Sequence, residues 1–543
     1  MQVNSRDTGE VATLLAGESP LRRDRLLEYL HRLHDRFATL RPGHLRALAE
    51  LMRLAETEVY EVASFYHHFD LAADDASAVP ELTVRVCDSL SCALAGGESL
   101  ATRLATTLGR DVRLQRVPCI GQCDGAPAAV VGTHVVTGAD EGRVRAAIAE
   151  GCTRATPPGH AIDYATYREQ GGYRTLRDLA GGRLSAGTVL ERLEAGGLRG
   201  LGGAGFPTAR KWRIVREQPA PRLVAVNIDE GEPGTFKDRH YLETDPHRFL
   251  EGLLIACHVV GAEKVYLYLR DEYAAARALL ERELDALRAD PPVPLPEIEL
   301  RRGAGAYICG EESAMLESIE GRRGMPRLRP PYVAEVGLFG RPTLVQNLET
   351  LHWVRDALER PQDDFAPEGR RGRRGLRSFS VSGRVARPGV VRAPAGISVR
   401  ELIDEHCGGM AEGHTLYAYL PGGASGGILP ASLADLPLDF DVLQEHGCFI
   451  GSAAVIVLSE HDRARDAALN AMRFFVHESC GQCTPCRVGT AKAAALMEAP
   501  RWDTPLLEEL AQAMADASIC GLGQAAPNPL RCVQRFFPDE VDG

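Results

Sequence analysis

Apolar positions at the start of the chain follow a helical period. Leu26, Leu27, Leu30, Leu33 and Phe37 share one face, and Pro42 opens a second run through Leu45, Leu48, Leu51 and Leu54. Thr57 is the expected N-cap of the next segment, TEVYEVASFYHHF. The period then changes. LTVRV (82–86) alternates as a strand and runs into Cys87, a helix is expected from about Ser99 to Thr107, and VRLQRV (112–117) is a second strand ending near Cys119. AAVV and HVV predict a hairpin, and a helix over 141–150 follows.

Strand, helix, strand, hairpin, helix is the order of a thioredoxin-like domain, placed here at 81–152 behind a helical segment at 1–80. Residues 153–172, with TPPGH, predict a linker. Strands LVAVN (223–227), KVYLYL (264–269) and IEL (298–300), with an amphipathic helix at 272–288, predict a Rossmann-like α/β domain over 173–360. The polar stretch RPQDDFAPEGRRGRRG marks a boundary. Short strands and many glycines then predict a β-grasp-like domain over 361–450, expected to join domains and bind nothing. A helical bundle interrupted by cysteines is expected over 451–543, which makes the chain an α/β multidomain protein.

At 543 residues the chain is too long for one core, and 45% hydrophobic with 25% charged residues is an ordinary globular composition. A net charge of −12 argues against a nucleic-acid partner. No run of eighteen apolar residues appears, and the N-terminus lacks a charged n-region before an apolar run. No membrane insertion is therefore expected, and a cytoplasmic location is, where the fourteen cysteines would stay reduced. Eight of them fall in two tight groups, a pattern of metal or cluster binding rather than of disulfides.

In the first group Cys87 and Cys92 follow one strand, and Cys119 and Cys123 follow the next. Four thiolates on adjacent loops suit a 2Fe-2S cluster; they would also suit zinc, although zinc ribbons favour two-residue gaps. In the second group Cys480, Cys483 and Cys486 have two-residue gaps, with Cys520 remote, which is the spacing of a 4Fe-4S cluster, with zinc as the alternative. Cys152, Cys257, Cys309, Cys407 and Cys448 read as ordinary buried thiols, and Cys532 lies outside the pattern. Lysine is scarce, at Lys211, Lys237, Lys264 and Lys492, and two of these fall in the motifs that follow. GLRGLGGAGFPTARKW (197–212) is a glycine-rich loop able to close backbone amides around a phosphate or flavin. NIDEGEPGTFKDR (227–239) and YICGEESAMLESIEG (307–321) are acidic loops, suited to ribose hydroxyls, an amide or a flavin edge; singly, each would be a solvated turn.

AETEVYEVASFYHHF, CDSLSC and CIGQCDGAP together resemble the 24-kDa-type subunit of respiratory complex I over about 22–150. Beyond about residue 173, the glycine-rich loop, the two acidic loops and SCGQCTPCRVG resemble the 51-kDa-type flavoprotein of the same complex. This resemblance implies FMN on the glycine loop at Gly202, Gly203 and Gly205, contacted by Lys211, Asn227, Asp229, Glu230, Gly310, Glu311 and Asn347. Phe206 would stack on NAD(H), and Glu232 and Glu312 would bond its sugar or carboxamide. Arg329 and Tyr332 stand where that family has lysine and phenylalanine, and Leu201 stands where it has arginine. No side chain is expected to act as acid or base, since FMN carries the chemistry.

A fusion of the two modules resembles the β subunit of NAD-dependent molybdenum or tungsten formate dehydrogenases, the diaphorase subunit of NAD-reducing nickel-iron hydrogenases, or a fused complex I subunit. GLRGLGGAGFP with Leu201 most resembles the first. That implies a hetero-oligomer with a formate dehydrogenase catalytic (α) subunit and room for a further small 2Fe-2S subunit. A redox sensor or electron-carrying scaffold is the non-catalytic alternative.

Overall fold

The computed structural model describes residues 5–72 and 79–542. Helices Leu26–Phe37, Pro42–Met52 and Glu56–Phe65 form where the helical period runs. The last of them starts earlier than expected. Ala55 is its N-cap residue, whose amide donates to the Glu58 side chain at 3.2 Å, and Thr57 lies inside the first turn.

Strands β1 (Leu82–Cys87), β2 (Val112–Val117), β3 (Ala129–Val131) and β4 (His134–Val136) form a sheet in the order β2-β1-β3-β4. β1 and β2 are parallel, whereas β3 runs antiparallel to β1 and to β4. This is the expected thioredoxin-like arrangement, with one extra turn of helix, Leu90–Leu94, that the sequence pattern does not reveal. The stretch expected as a linker carries a helix, Tyr164–Glu169, whose two tyrosines are buried in the core of the next domain.

That domain is built on four parallel strands, β5 (Arg222–Ile228), β6 (Ala262–Leu269), β7 (Glu297–Arg302) and β8 (Thr343–Asn347), in the order β7-β6-β5-β8. Val224, Val226 and Ile228 face one core, while Leu223 and Ala225 face another, so β5 is apolar on both sides. The first face packs on helix Pro246–Val260, which Asp245 and Pro246 open and Gly261 closes. The second face packs on the N-terminal helices and on Phe474 and Phe475 of the C-terminal bundle. Arg301 pairs with Asp24 and Glu28 at 2.6 and 3.2 Å, and Tyr66 donates to the Arg322 carbonyl at 2.7 Å. The helical start thus covers one face of this parallel sheet.

Strands β9 (Leu376–Gly383), β10 (Gly389–Pro394), β11 (Leu416–Leu420), β12 (Leu429–Pro430) and β13 (Ala454–Ser459) form the third sheet, β10-β9-β13-β11-β12. Its middle strand, β13, lies past residue 450, where the sequence pattern places the end of the β-grasp unit. β13 is buried throughout and lacks the alternation that would mark it as a sheet member. Helices Ala464–Glu478, Thr484–Met497, Thr504–Ala517 and Asn528–Phe536 form the C-terminal bundle. None of the helices among the described residues is long and apolar enough to cross a membrane.

Close helix approach sets the position of β8. A Cβ on Gly252 would lie 1.9 Å from the Leu351 carbonyl oxygen. Overpacking of this kind costs about 1–3 kcal/mol. Gly252→Ala is expected to lower the thermal midpoint measured by calorimetry; an unchanged midpoint would contradict this packing.

Candidate active site and cysteine centres

In the order β7-β6-β5-β8 the chain steps outward from β5 to β6 and β7 and then crosses back to β8 on the other side of β5, so a crevice opens between the carboxyl ends of β5 and β8. Asn227 is the last residue but one of β5, Asn347 ends β8, and the two are register partners. A cavity of about 310 Å³ begins there, at the lower end of the ~300–1,000 Å³ of small-molecule sites. It collects Gly202, Gly203, Asn227, Asp229, Glu230, Glu232, Gly310, Glu311 and Asn347 from the glycine-rich loop, the two acidic loops and the end of β8.

The two asparagines are held by protein contacts. Asn227 donates to the Gly310 carbonyl at 2.8 Å and accepts from the Asp229 amide at 3.0 Å. Asn347 donates to Asp238 at 2.6 Å and caps helix Leu348–His352 through the Thr350 amide at 3.2 Å. Buried Lys237 donates to Asp238 at 2.8 Å and pairs with Glu349 at 3.0 Å. Burial opposes its charge, but Asp238, Glu349 and Glu230 together hold it above the ordinary lysine range. Lys237, Asp238 and Glu349 carry no role in the sequence pattern, because only the fold brings the last of them to the acidic loop.

The acidic residues divide by what they already bond. Glu230 accepts from the amides of Asp238 and Arg239 and from the Tyr273 hydroxyl, at 2.8, 3.1 and 2.9 Å. Burial, with Asp238 nearby, pushes its carboxyl up to about 7. Three of its roughly four acceptor positions are taken in this way, so Glu230 shapes the loop while still lining the cavity. Glu232 accepts from the Tyr307 hydroxyl and from the Ser425 amide and hydroxyl, the last two at 2.7 and 2.9 Å. Glu311 caps helix Glu312–Ile319 through the Ser313 and Ala314 amides at 2.9 and 2.8 Å, and Arg329 pairs with it. Glu312 lies 3.1 Å from Arg329 and 3.9 Å from Lys211. Lys211 also donates to the Val345 carbonyl at 3.2 Å, and burial lowers its basicity.

Not every expected residue reaches the cavity wall. Gly205, Phe206, Lys211, Glu312, Arg329 and Tyr332 lie outside it. Phe206 is 37% exposed with Arg210 over its ring, and Tyr332 is 55% exposed on the segment after Arg329. The β-grasp unit, expected to bind nothing, supplies Gly422, Ser425, Phe449, Gly451 and Ser452 to the wall. Its PGGASGG run was the available signal for close backbone approach.

The wall fits a planar, polar-edged group. One Asp229 carboxylate oxygen is buried without a partner, and burial holds that carboxyl well above its usual range. Gly203 has φ of +132°, and a Cβ there would meet nothing within 4 Å, so open space faces its backbone. Carboxamides, a buried carboxyl with one unpartnered oxygen and bare glycine backbone form a polar set suited to a flavin edge.

Four cysteines meet at each of two further points. Cys87, Cys92, Cys119 and Cys123 are all buried, with the last two sulfurs 3.4 Å apart, and the Gly121 amide donates to Cys119 at 3.4 Å. This loop packs on Phe236, and Arg270 joins the Cys119 carbonyl, at 2.6 Å, to the Glu230 carbonyl. Cys480, Cys483, Cys486 and Cys520 line one small cavity with Ile308 and Leu522. Ile308 and Leu522 also line the active-site cavity, so two apolar side chains separate it from the second cysteine set.

Fold and site together define a flavo-iron-sulfur module of the NADH-dehydrogenase type. Residues 193–356 match the Nuo51 FMN-binding domain, and 466–543 match the NADH-ubiquinone oxidoreductase-F iron-sulfur binding region. Residues 13–151 match the thioredoxin-like [2Fe-2S] ferredoxin profile, and 378–429 match the SLBB domain. An NADH-quinone oxidoreductase-F protein of Rhizobium meliloti (strain 1021) is 40% identical over 71% of this chain and 94% of its own length. The mitochondrial NADH-ubiquinone oxidoreductase 51 kDa subunit of Neurospora crassa is 39% identical over 65% and 76%. A solved NAD+-reducing [NiFe]-hydrogenase in the H2-reduced state contains a chain similar over 96% of this one and 92% of its own, with 32% identity and a TM-score of 0.83. The chain belongs to the NADH-quinone oxidoreductase-F family, with a thioredoxin-like ferredoxin unit on the same polypeptide. FMN, a 4Fe-4S cluster and a 2Fe-2S cluster are its cofactors, and NAD binding accords with its relatives.

Removing one member of a buried ion pair costs about 3–5 kcal/mol. Lys237→Met is therefore expected to lower the thermal midpoint of the flavin-loaded protein, and adding Glu349→Gln should recover part of the loss. Equal midpoints for wild type and Lys237→Met would contradict the role given to this ammonium.

Proposed function

We propose that the crevice between β5 and β8 is where NAD(H) and FMN exchange hydride, and that electrons leave through the Cys480, Cys483, Cys486 and Cys520 cluster. The observation that carries this reading is the shared wall: Ile308 and Leu522 border both the crevice and the four-cysteine cavity. FMN supplies the exchange between a two-electron hydride carrier and one-electron clusters.

The chain's own residues position and insulate. Gly202 and Gly203 present backbone without side chains, so a flat ring approaches closely. Asn227 and Asn347, fixed by Gly310 and Asp238, hold the carboxyl ends of β5 and β8 as a rigid polar wall beside the ring edge. Asp229, whose buried Oδ2 has no protein partner, turns an unpaired carboxyl oxygen to the same edge. Glu232, steadied by Tyr307 and Ser425, presents an acceptor to a ribose or carboxamide. Glu312 lies outside the wall, where Lys211 and Arg329 orient it at the rim for the same ligand. Phe206, exposed in the glycine loop, offers a stacking face to the nucleotide. Lys211, Arg329 and Glu311 form the charged support behind the loop, and Tyr332 remains an outer contact on the same side. Acidic Glu230 and Glu232 disfavour a 2′-phosphate, which selects NAD over NADP. The Cys87, Cys92, Cys119 and Cys123 loop, pressed on Phe236 and Arg270, holds the 2Fe-2S cluster beside the acidic loop.

The partner in this reading is the catalytic subunit of a cytoplasmic NAD-dependent molybdenum or tungsten formate dehydrogenase, with formate and NAD+ converted to CO2 and NADH. GLRGLGGAGFP, with Leu201 in the glycine loop, supports that partner. A second reading, the diaphorase of an NAD-reducing hydrogenase, is favoured by the likeness to the solved hydrogenase over 96% of this chain. A scaffold without catalysis would have no use for the fixed amides and carboxyls of the crevice.

The native complex captured through this chain separates the partners. NAD+ reduction driven by formate, and none by hydrogen gas, is expected. Reduction by hydrogen alone would transfer the module to a hydrogenase and overturn the formate assignment.

A further inference from the structure

Two thiols that belong to neither cysteine set meet inside the protein. Cys448 precedes Phe449, Gly451 and Ser452 of the crevice wall, and Cys532 lies on helix Asn528–Phe536. Their sulfurs are 3.5 Å apart and both residues are buried. That is contact without a bond, since a disulfide needs about 2.05 Å. Gly427 makes the contact possible. Its φ is +83°, and a Cβ there would stand 2.5 Å from the Cys448 sulfur and 3.0 Å from that of Cys532.

Cys532 also forms part of a surface cleft of about 410 Å³, with His446, Glu508, Arg531, Gln534 and Arg535. Cys448 does not border that cleft. The Cys448 thiol beside it, the Ile428 backbone and the Arg535 guanidinium hold Cys532 below the usual thiol range. A small oxidant entering the cleft therefore meets Cys532 first, with the Cys448 thiol 3.5 Å behind it.

We propose that Cys448 and Cys532 are a reversible oxidation site for hydroperoxides, closing to a disulfide that ties the β-grasp unit to the C-terminal bundle. The Cys532 sulfur attacks hydrogen peroxide, an S–O bond forms, the O–O bond breaks, and one water leaves. The Cys448 sulfur then displaces that oxygen as the second water, and the S–S bond forms. Two thiols give up two protons and two electrons, and one peroxide becomes two waters. A dithiol reverses the step by exchange.

The bond would act on the crevice wall from both sides. It fixes the loop leading to Phe449 and the helix whose Asn528 donates to the Ser425 carbonyl at 3.0 Å. Ser425 is the residue that bonds Glu232.

Peptide mapping of the whole cofactor-loaded protein tests the proposal. The protein is titrated anaerobically with hydrogen peroxide, alkylated and digested, with cluster absorbance followed in parallel. A linked peptide pair containing Cys448 and Cys532 is expected, lost after dithiothreitol and absent in Cys448→Ser. Two alkylated cysteines at every dose up to the one that bleaches the clusters would overturn it, as would Cys532 joined to any other cysteine.

Discussion

The ammonium of Lys237, 2.8 Å from Asp238 and 3.0 Å from Glu349, is the contact on which the crevice depends. Among the described residues lining the crevice are five acids, Asp229, Glu230, Glu232, Asp238 and Glu311, and one base, Lys237. Unpaired, buried carboxylates would repel one another and take up protons. With Lys237 in place Asp238 stays oriented, and through it the Asn347 carboxamide at the end of β8. The glycine loop then has a fixed surface to face.

The sheet order explains why so many domains converge there. Parallel strands leave one open crevice at the switch between β5 and β8, and everything that must meet a ligand has to reach that edge. The β-grasp unit arrives through Ser425 and Phe449, and the C-terminal bundle through Leu522. The ferredoxin unit docks behind the acidic loop through its Cys119 loop, locked by Arg239 on Asp124 at 2.7 Å and by Arg270 on the Cys119 carbonyl at 2.6 Å. Buried arginines with several acceptors fix such docking geometrically, beyond what apolar contact does. Ile308 and Leu522 line both the crevice and the second cysteine centre.

Much of this was legible along the chain. Period-two and buried apolar runs marked β1, β2, β5, β6 and β7, and cysteine spacing marked both thiol centres, because each signal is local. The unreadable parts are those set by distant residues. Thr57 has the right chemistry for a cap, but the Glu58 side chain satisfies the Ala55 amide and starts the helix earlier. β13 is apolar on both faces, and only its pairing with β9 and β11 identifies it. Glu230 looked like a ligand acceptor in NIDEGEP, yet Tyr273, 43 residues on, takes one of its oxygens. Lys237 gains its meaning only from Glu349, and Cys448 only from Cys532.

An anaerobic crystal structure of the flavin-loaded protein with NADH tests the account most directly. The isoalloxazine is expected in the crevice between Gly202–Gly203 and Gly310, with Asn227 and Asn347 at its edge and the nicotinamide stacked on it. The β-grasp unit and the flavin domain also enclose a basic groove of about 190 Å³, lined by Arg199, Arg360, Arg374, Arg377 and Arg392. Flavin in that groove, with the crevice filled only by solvent, would contradict the account.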